Sequence, residues 1–294
     1  QKGTETTLIE RFMYPKHGPG QLWERTAELV SERGGEIYLR HMAVGILLDG
    51  KRVTGVRVKN LETGAESVVE ADYVFSTMPV RELIAAMPEK AVPPEALAVA
   101  RGLEYRDFLT VGFLLNRLTR TNTSSAATVN DILPDTWIYV QERDVIMGRI
   151  QIFNNWSPYL PSDANKVWLG TEFFANETDA FWKLPDSEIA ALAGAELEKI
   201  GIASRTDIAD WTVVRSLKTY PAYFGTYERF DVVREFTDSI ENLFLVGRNG
   251  MHRYNNMDHS MLSAMTAVEN IINGRTDKAN IWSVNTEQEY HEEK

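Results

Sequence analysis

Near the end of the chain, Leu243-Phe244-Leu245-Val246 is apolar without a break, Gly247 closes it, and a polar run to Ser260 leads into a helical pattern. A strand apolar at every position needs cover on both faces, which is the arrangement of a parallel sheet flanked by helices. The predicted class is therefore α/β (α+β). The run Gly247-Arg248-Asn249-Gly250-Met251-His252-Arg253-Tyr254-Asn255-Asn256-Met257-Asp258-His259-Ser260 joins its strand to its helix. In open sheets of this kind, ligands lie beyond the carboxyl ends of the strands. A helix over about 258–273 would turn its first N–H groups, carrying roughly half a positive charge, toward such a ligand. Asp258 and Ser260 are the candidate caps. The bland alternative is that these polar residues only cap the helix. Arginines, asparagines and histidines crowd the loop beyond what capping uses.

The rest of the chain supplies more of the same layer, interrupted by a different texture. Residues 1–10 are polar. Leu22, Trp23, Leu29 and Val30 give an apolar stripe for a helix from Gln21 to about Arg33, which Gly34-Gly35 stops. Alternation at Ile37, Leu39 and His41, then Ile46 to Leu48, the Asp49-Gly50 turn, Val53 to Val58, Thr63-Gly64 and Val68-Val69, predicts a β-meander. Tyr73-Val74-Phe75 reads as a fully buried strand, and a helix through Leu83 and Ile84 follows. From Phe108 strands alternate with loops, at 109–115, 137–140, 147–153, 167–174 and 211–217, around one helix from Asp186 to Ile200. The ends of the chain thus read as one nucleotide-binding layer and the middle as an inserted, β-rich mixed domain.

Composition narrows the function. A net charge of −11 argues against nucleic acid as a main partner but leaves room for an anionic small molecule held by local arginines. With no cysteine, disulfides, thiolate metal sites and cysteine nucleophiles are excluded. No metal-ligand spacing and no Gly-x-Ser-x-Gly is present. No apolar stretch approaches ~18 residues, so no membrane span is expected, no signal peptide is visible, and a cytoplasmic enzyme is the simplest reading. The oligomeric state is not readable.

Smaller motifs carry open alternatives. His17-Gly18-Pro19-Gly20 precedes a helix and is either a plain turn or a close backbone approach to a flat ligand. Arg149, in Met147-Gly148-Arg149-Ile150, must find an anion inside an apolar strand, either a structural carboxylate or a substrate. Tyr139 lies ten residues before it. Tyr220-Pro221, with Tyr223 and Tyr227, is packing or ligand contact. Asn154-Asn155-Trp156-Ser157-Pro158-Tyr159 reads as a polar and aromatic loop. His41 and His291 read as a strand residue and a tail residue.

Four motifs in order carry a resemblance: Phe12-Met13-Tyr14-Pro15-Lys16-His17-Gly18, Phe75-Ser76-Thr77-Met78, the 153–159 run and the 247–260 run. Over about residues 11–275 they resemble the C-terminal half to two-thirds of the UDP-galactopyranose mutases. More distantly they resemble the amine oxidase and protoporphyrinogen oxidase superfamily. The resemblance implies the C-terminal part of a GxGxxG-type FAD-binding fold with an inserted mixed β-rich substrate domain. Its divisions are a partial FAD-binding domain over 11–104, a substrate domain over 105–238, a return to the first over 239–276 and a polar tail over 277–294. FAD is the implied cofactor and a small molecule, a nucleotide sugar, the implied substrate. In these mutases the nucleophile is reduced flavin N5, which displaces UDP from the sugar so that its ring can contract. No protein nucleophile is needed; the protein neutralises the diphosphate.

By position the resemblance assigns Tyr139, Arg149, Trp156, Tyr220, Arg248 and Tyr254 to the substrate. It assigns Gly18, Gly20, Val44, Gly247, Arg248, Asn256, Met257, Asp258, His259 and Ser260 to the cofactor. Met257 stands where a glutamine is familiar and Trp156 where a tyrosine is. Nothing within 1–294 reads GxGxxG after a strand, so the chain is expected to be a truncated portion, inactive alone. Two alternatives are an FAD-dependent oxidoreductase of the amine oxidase or protoporphyrinogen oxidase type and a non-catalytic interaction module.

Overall fold

A computed structural model describes residues 13–284. Calls on the segment 1–10, on Phe12 and on residues 285–294, including His291, lie outside the described residues. The chain divides into two compact units. The first joins the described residues through Ile37 to Phe108–Ser216; the second joins Tyr38–Asp107 to the described residues from Leu217 on. The sequence placed its divisions at 104/105 and 238/239. By contacts, the residues before Tyr38 go with the β-rich middle, and Leu217 to Asp238 go with the second unit.

Along the chain the first element is helix α1 (Gly20–Glu32). Its apolar stripe is real, but α1 buries no residue, and Leu22, Trp23 and Val30 are exposed. The meander follows as β1 (His41–Asp49), β2 (Arg52–Asn60) and β3 (Glu66–Glu70), antiparallel in that order. Ile37 and Leu39, expected in its first strand, lie outside it and are exposed. Strand β4 (Val74–Ser76) leads through Pro79 into α2 (Val80–Ala85), and Pro93-Pro94 opens α3 (Pro94–Arg101), where proline's missing N–H costs nothing.

The chain next crosses the division within β5 (Tyr105–Leu115). Strands β6 (Trp137–Tyr139) and β7 (Arg149–Ile152), a helical turn α4 (Phe153–Trp156), β8 (Val167–Ala175) and helix α5 (Asp186–Lys199) follow. Strand β9 (Ile208–Pro221) completes a five-stranded sheet in the order β6-β7-β8-β5-β9. Helix α5 has Asp186 and Glu188 in its first turn and stops at Gly201, whose φ of 72° only glycine adopts freely. Ile189, Ala193 and Leu197 face a core built with Leu109, Val111, Phe113, Ile150, Leu169 and Phe173.

The last elements are α6 (Phe230–Asp238), β10 (Leu243–Leu245), a short α7 (Gly247–Gly250), α8 (Met257–Ile272) and a helical turn α9 (Ala279–Trp282). Strand β10 pairs parallel to β4 in the register Leu243↔Val74, Phe244↔Phe75, Leu245↔Ser76. Its three residues are buried, as their unbroken apolarity requires. Strand β4 departs from expectation: Tyr73 and Phe75 are partly open, because among the described residues β4 has one ladder neighbour, β10. The carboxamide of Asn242 joins the meander to these strands. It accepts from Val53 N–H and donates to the carbonyls of Val53 and Asp72, each at 2.8 Å. The polar tail expected from 277 is corrected as far as Val284. Lys278, Ile281 and Trp282 are buried in the second unit.

Candidate functional site: a strand-end loop and an arginine cage

In the second unit the two parallel strands end side by side. Gly247 follows β10 with φ 74°, and a Cβ there would stand 3.9 Å from Ser260 and 4.0 Å from Thr77. The ends of β4 and β10 and the first turn of α8 therefore converge. Gly250 lies so close to β4 that a Cβ on it would meet the carbonyl of Ser76 and the backbone of Thr77. Backbone packs on backbone here, which is the physical reason for glycine.

The start of α8 corrects one expectation. Its N-cap is Asn256, in a capping box: the Asn256 side chain takes an N–H of the first turn, and His259 Nδ1 accepts from Asn256 N–H at 3.4 Å. Neither Asp258 nor Ser260 is the cap. Asp258 is exposed beside His259, 3.4 Å from its Nδ1. The Ser260 hydroxyl donates to Asn255 Oδ1 at 2.7 Å, and Ser263 Oγ accepts from Gly247 N–H at 3.0 Å. Met257 is exposed.

Arg248 leaves α7 and donates to the carbonyls of Asn255 (3.0 Å) and Thr219 (3.2 Å). Its guanidinium lies 4.5 Å from the ring centre of Tyr254 and 5.5 Å from that of Tyr220. These two rings are stacked, 9° from parallel. Among the described residues Arg248 forms no ion pair, so its positive charge is uncancelled while its surroundings are half-buried and aromatic. Behind it His252 is fully buried, in left-handed backbone (φ 46°), packed by Tyr105, Tyr227 and Phe230. Burial lowers its pKa to about 4, so the ring is neutral, and Nε2–H donates to Ala222 O at 3.1 Å.

Val44 also belongs to this unit. The β1–β2 register shifts between Ala43 and Gly45, so Val44 is a bulge residue without a Cα partner. A bulge frees a residue from the ladder at the position where the resemblance places a backbone contact to adenine.

The first unit holds Gly18, Gly20, Tyr139, Arg149 and Trp156. Gly18 adopts φ 86° in a turn closed by its N–H to Pro15 O at 3.0 Å, and Gly20 opens α1. Ser157 Oγ donates to Lys16 O at 2.7 Å, which ties this approach to the 153–159 run. Trp156 stacks on Tyr14 at 5.4 Å and meets Trp137 edge-on at 5.9 Å. Arg149 has a structural carboxylate within reach. It pairs with buried Glu172, Nε to Oε2 at 2.5 Å, and Gln151 donates to the same carboxylate. Trp137, Phe174, Phe108 and Tyr139 enclose the guanidinium at 5.1–6.0 Å. The two arginines thus differ in kind: Arg149 has a carboxylate partner and Arg248, among the described residues, has none. No sequence pattern shows this, because Glu172 stands opposite Arg149 only through the β7–β8 register.

The model of the flavin containing amine oxidoreductases matches residues 4–272. The chain belongs to that family. No curated protein matches it closely enough to report. Among solved structures, reduced UDP-galactopyranose mutase superposes with a TM-score of 0.71 at 18% identity, over 92% of this chain and 55% of that one. A protein assigned as a protoporphyrinogen oxidase from Exiguobacterium sp. 255-15 gives 0.63 at 20%, over 90% and 53%. Putrescine oxidase bound to putrescine gives 0.54 at 14%, over 80% and 49%. Such identities show a shared mixed α/β fold, the class read from the sequence. The chain spans about half the length of the structures it matches.

The family's flavin can be tested against the second unit. Ser76 Oγ, at the end of β4, and Asn249 Oδ1, in α7, are buried and have no hydrogen-bond partner among the described residues. Unmatched polar atoms at converging strand ends are what a polar ligand edge would satisfy. With the N-terminus of a sixteen-residue helix beside them, these residues fit the group. Among the described residues there is no cluster that could hold a metal ion, and no helix is long and apolar enough to cross a membrane.

Proposed function

We propose that, in a protein of full family length, this chain supplies the ring end of an FAD site and the anion-binding part of a nucleotide-sugar site. The enzyme is then a flavin-dependent sugar-nucleotide mutase of the UDP-galactopyranose mutase type. One observation carries this reading: among the described residues Arg248 has no carboxylate partner, and it lies over the stacked Tyr220 and Tyr254. A half-buried guanidinium without a carboxylate favours an anionic ligand, and a diphosphate is the anion a sugar nucleotide brings. Tyr220 and Tyr254 carry hydroxyls suited to the same oxygens.

Gly247, Asn256, Met257, Asp258, His259 and Ser260 line the flavin edge in this reading, with Val44 toward the adenine and Gly18 and Gly20 at a turn near the cofactor. A bound flavin supplies a ring nitrogen able to act as nucleophile or hydride acceptor. The chain's part is to orient and to neutralise: the first turn of α8 favours negative charge, and Arg248 holds the substrate anion. Tyr139, Arg149 and Trp156 of the first unit are assigned to the substrate by the resemblance alone.

The test is conversion of UDP-galactofuranose to the pyranose by the full-length protein with dithionite-reduced flavin. Arg248→Ala is expected to lower kcat/KM on the order of a hundredfold. Absence of turnover by the unaltered protein, with reduced flavin present, ends the mutase reading. A second reading, an FAD-dependent oxidoreductase, draws on the net-neutral Arg149–Glu172 pair among Trp137, Tyr139 and Phe174, which suits an uncharged substrate. Substrate-dependent bleaching of the flavin would favour it.

A further inference from the structure

The segment Asp277 to Trp282 lies beyond the residues 4–272 that the family model matches. It is nonetheless built into the second unit. Lys278, 5% exposed, donates from Nζ to the carbonyls of Asp238 (3.3 Å), Ile240 (2.6 Å) and Leu243 (2.7 Å). Trp282 Nε1 donates to the Asp238 carboxylate at 3.1 and 3.0 Å. Asn280 and Asn270 exchange amide hydrogen bonds, both 2.8 Å, fixing the segment to the second half of α8. The partners are Asp238 at the end of α6, Ile240 in the connection to β10, Leu243 at the start of β10 and Asn270 in α8.

The segment also reaches the loop directly. Arg253 donates from its guanidinium to Trp282 O at 2.7 Å, and Arg253 N–H donates to Arg248 O at 3.0 Å. Phe230 stands between Trp282 and His252, with ring centres 6.0 and 5.8 Å away. We infer that Asp277–Trp282 is a clasp that positions the Arg248–Arg253 turn, with Arg253 and Lys278 as its positioning residues. A four-residue helix such as α7 cannot hold itself, because helix nucleation is unfavourable and few bonds follow it. The turn takes its shape from what it is tied to: Arg248, Asn249 and His252 bond the carbonyls of Thr219, Lys218 and Ala222, and Arg253 bonds that of Trp282, the tie at the turn's far end. A buried ammonium on three carbonyls is costly to disturb, since its removal takes a charged donor from each of them. The clasp is therefore a firm anchor.

The inference rests on the flavin and anion reading only for what the positioned turn would do. Hydrogen exchange followed by mass spectrometry on the full-length protein tests the clasp itself. The amides of Met251, His252 and Arg253 donate within the turn and report its closure, and those of β1 and β2 serve as the reference. Arg253→Met is expected to speed exchange in the turn about tenfold with the reference unchanged. Arg253→Lys, which keeps a donor for Trp282 O, is expected to restore most of the protection. Lys278→Met is expected to act on the same turn from the far end. Unchanged turn exchange in Arg253→Met, or equal acceleration in β1 and β2, overturns the clasp. A protein that shows the local response but binds neither flavin nor UDP keeps the clasp and removes the functional reading. Flavin and UDP binding without the local response does the reverse.

Discussion

Arg149 shows what a single side chain does and does not disclose. The sequence requires an anion for an arginine within an apolar strand and leaves open which one. Glu172 answers, but only because antiparallel pairing sets it across from Arg149, 23 residues further along the chain. Glu172→Gln would leave the guanidinium in its aromatic cage without a countercharge. Breaking a buried pair from one side costs about 3–5 kcal/mol, so a large fall in melting temperature is expected, with little loss in Glu172→Asp. His252 is the second residue-scale case. Burial places its pKa at about 4, below the ordinary 6.5. The unfolded chain therefore takes up the proton first as pH falls. The contribution of His252 is complete above about pH 6.5 and declines from there toward about pH 4, by about 3 kcal/mol at the limit. His252→Phe, which removes the titrating group, is expected to flatten the dependence of melting temperature on pH across that window. An equally steep profile in this variant would show that other groups control acid stability.

Elements were legible where periodicity and punctuation agreed. The meander, α5 and α8 follow from alternating or helical apolar spacing ended by Gly50, Gly201 and Gly274, all with positive φ. Where one signal stood alone, the reading slipped. Asp258 and Ser260 are good capping types, yet Asn256 fits the box with His259, and the choice depends on where the backbone turns helical. Asn256→Ala is expected to cost about 1 kcal/mol, measured as reduced stability with cooperative unfolding kept. The 277–284 stretch has no periodicity at all. Lys278 matters because the fold aims three carbonyls at one point, which composition cannot announce. The contact of α7 with β4 is similar. Gly250→Ala would push a methyl into backbone atoms of Ser76 and Thr77, which cannot swing aside as a side chain could. A loss of about 1–3 kcal/mol is expected, together with weaker flavin binding in the full-length protein. Normal flavin affinity in a folded Gly250→Ala variant would show that this close approach does not shape the site.

Across the whole molecule, apolar surface is distributed unevenly. Helix α8 leaves Leu262, Met265, Val268 and Ile272 exposed at spacings of three, three and four, the period of one helix face. Helix α1 buries nothing, and β4 leaves Tyr73 and Phe75 partly open. Scattered apolar residues on a surface need no account, but a helical face of them beside an incompletely flanked parallel sheet does. The chain covers 55% of the mutase that shares this fold. The open faces become visible only when burial is known. A chain of these 294 residues alone should therefore bind a hydrophobic dye and associate as concentration rises. Leu262→Lys with Met265→Lys should reduce both without lowering the melting temperature, because neither side chain packs in the core. Dye binding unaffected by the double substitution would mean that the α8 face is not the open surface responsible, and α1 would then be the next face to test.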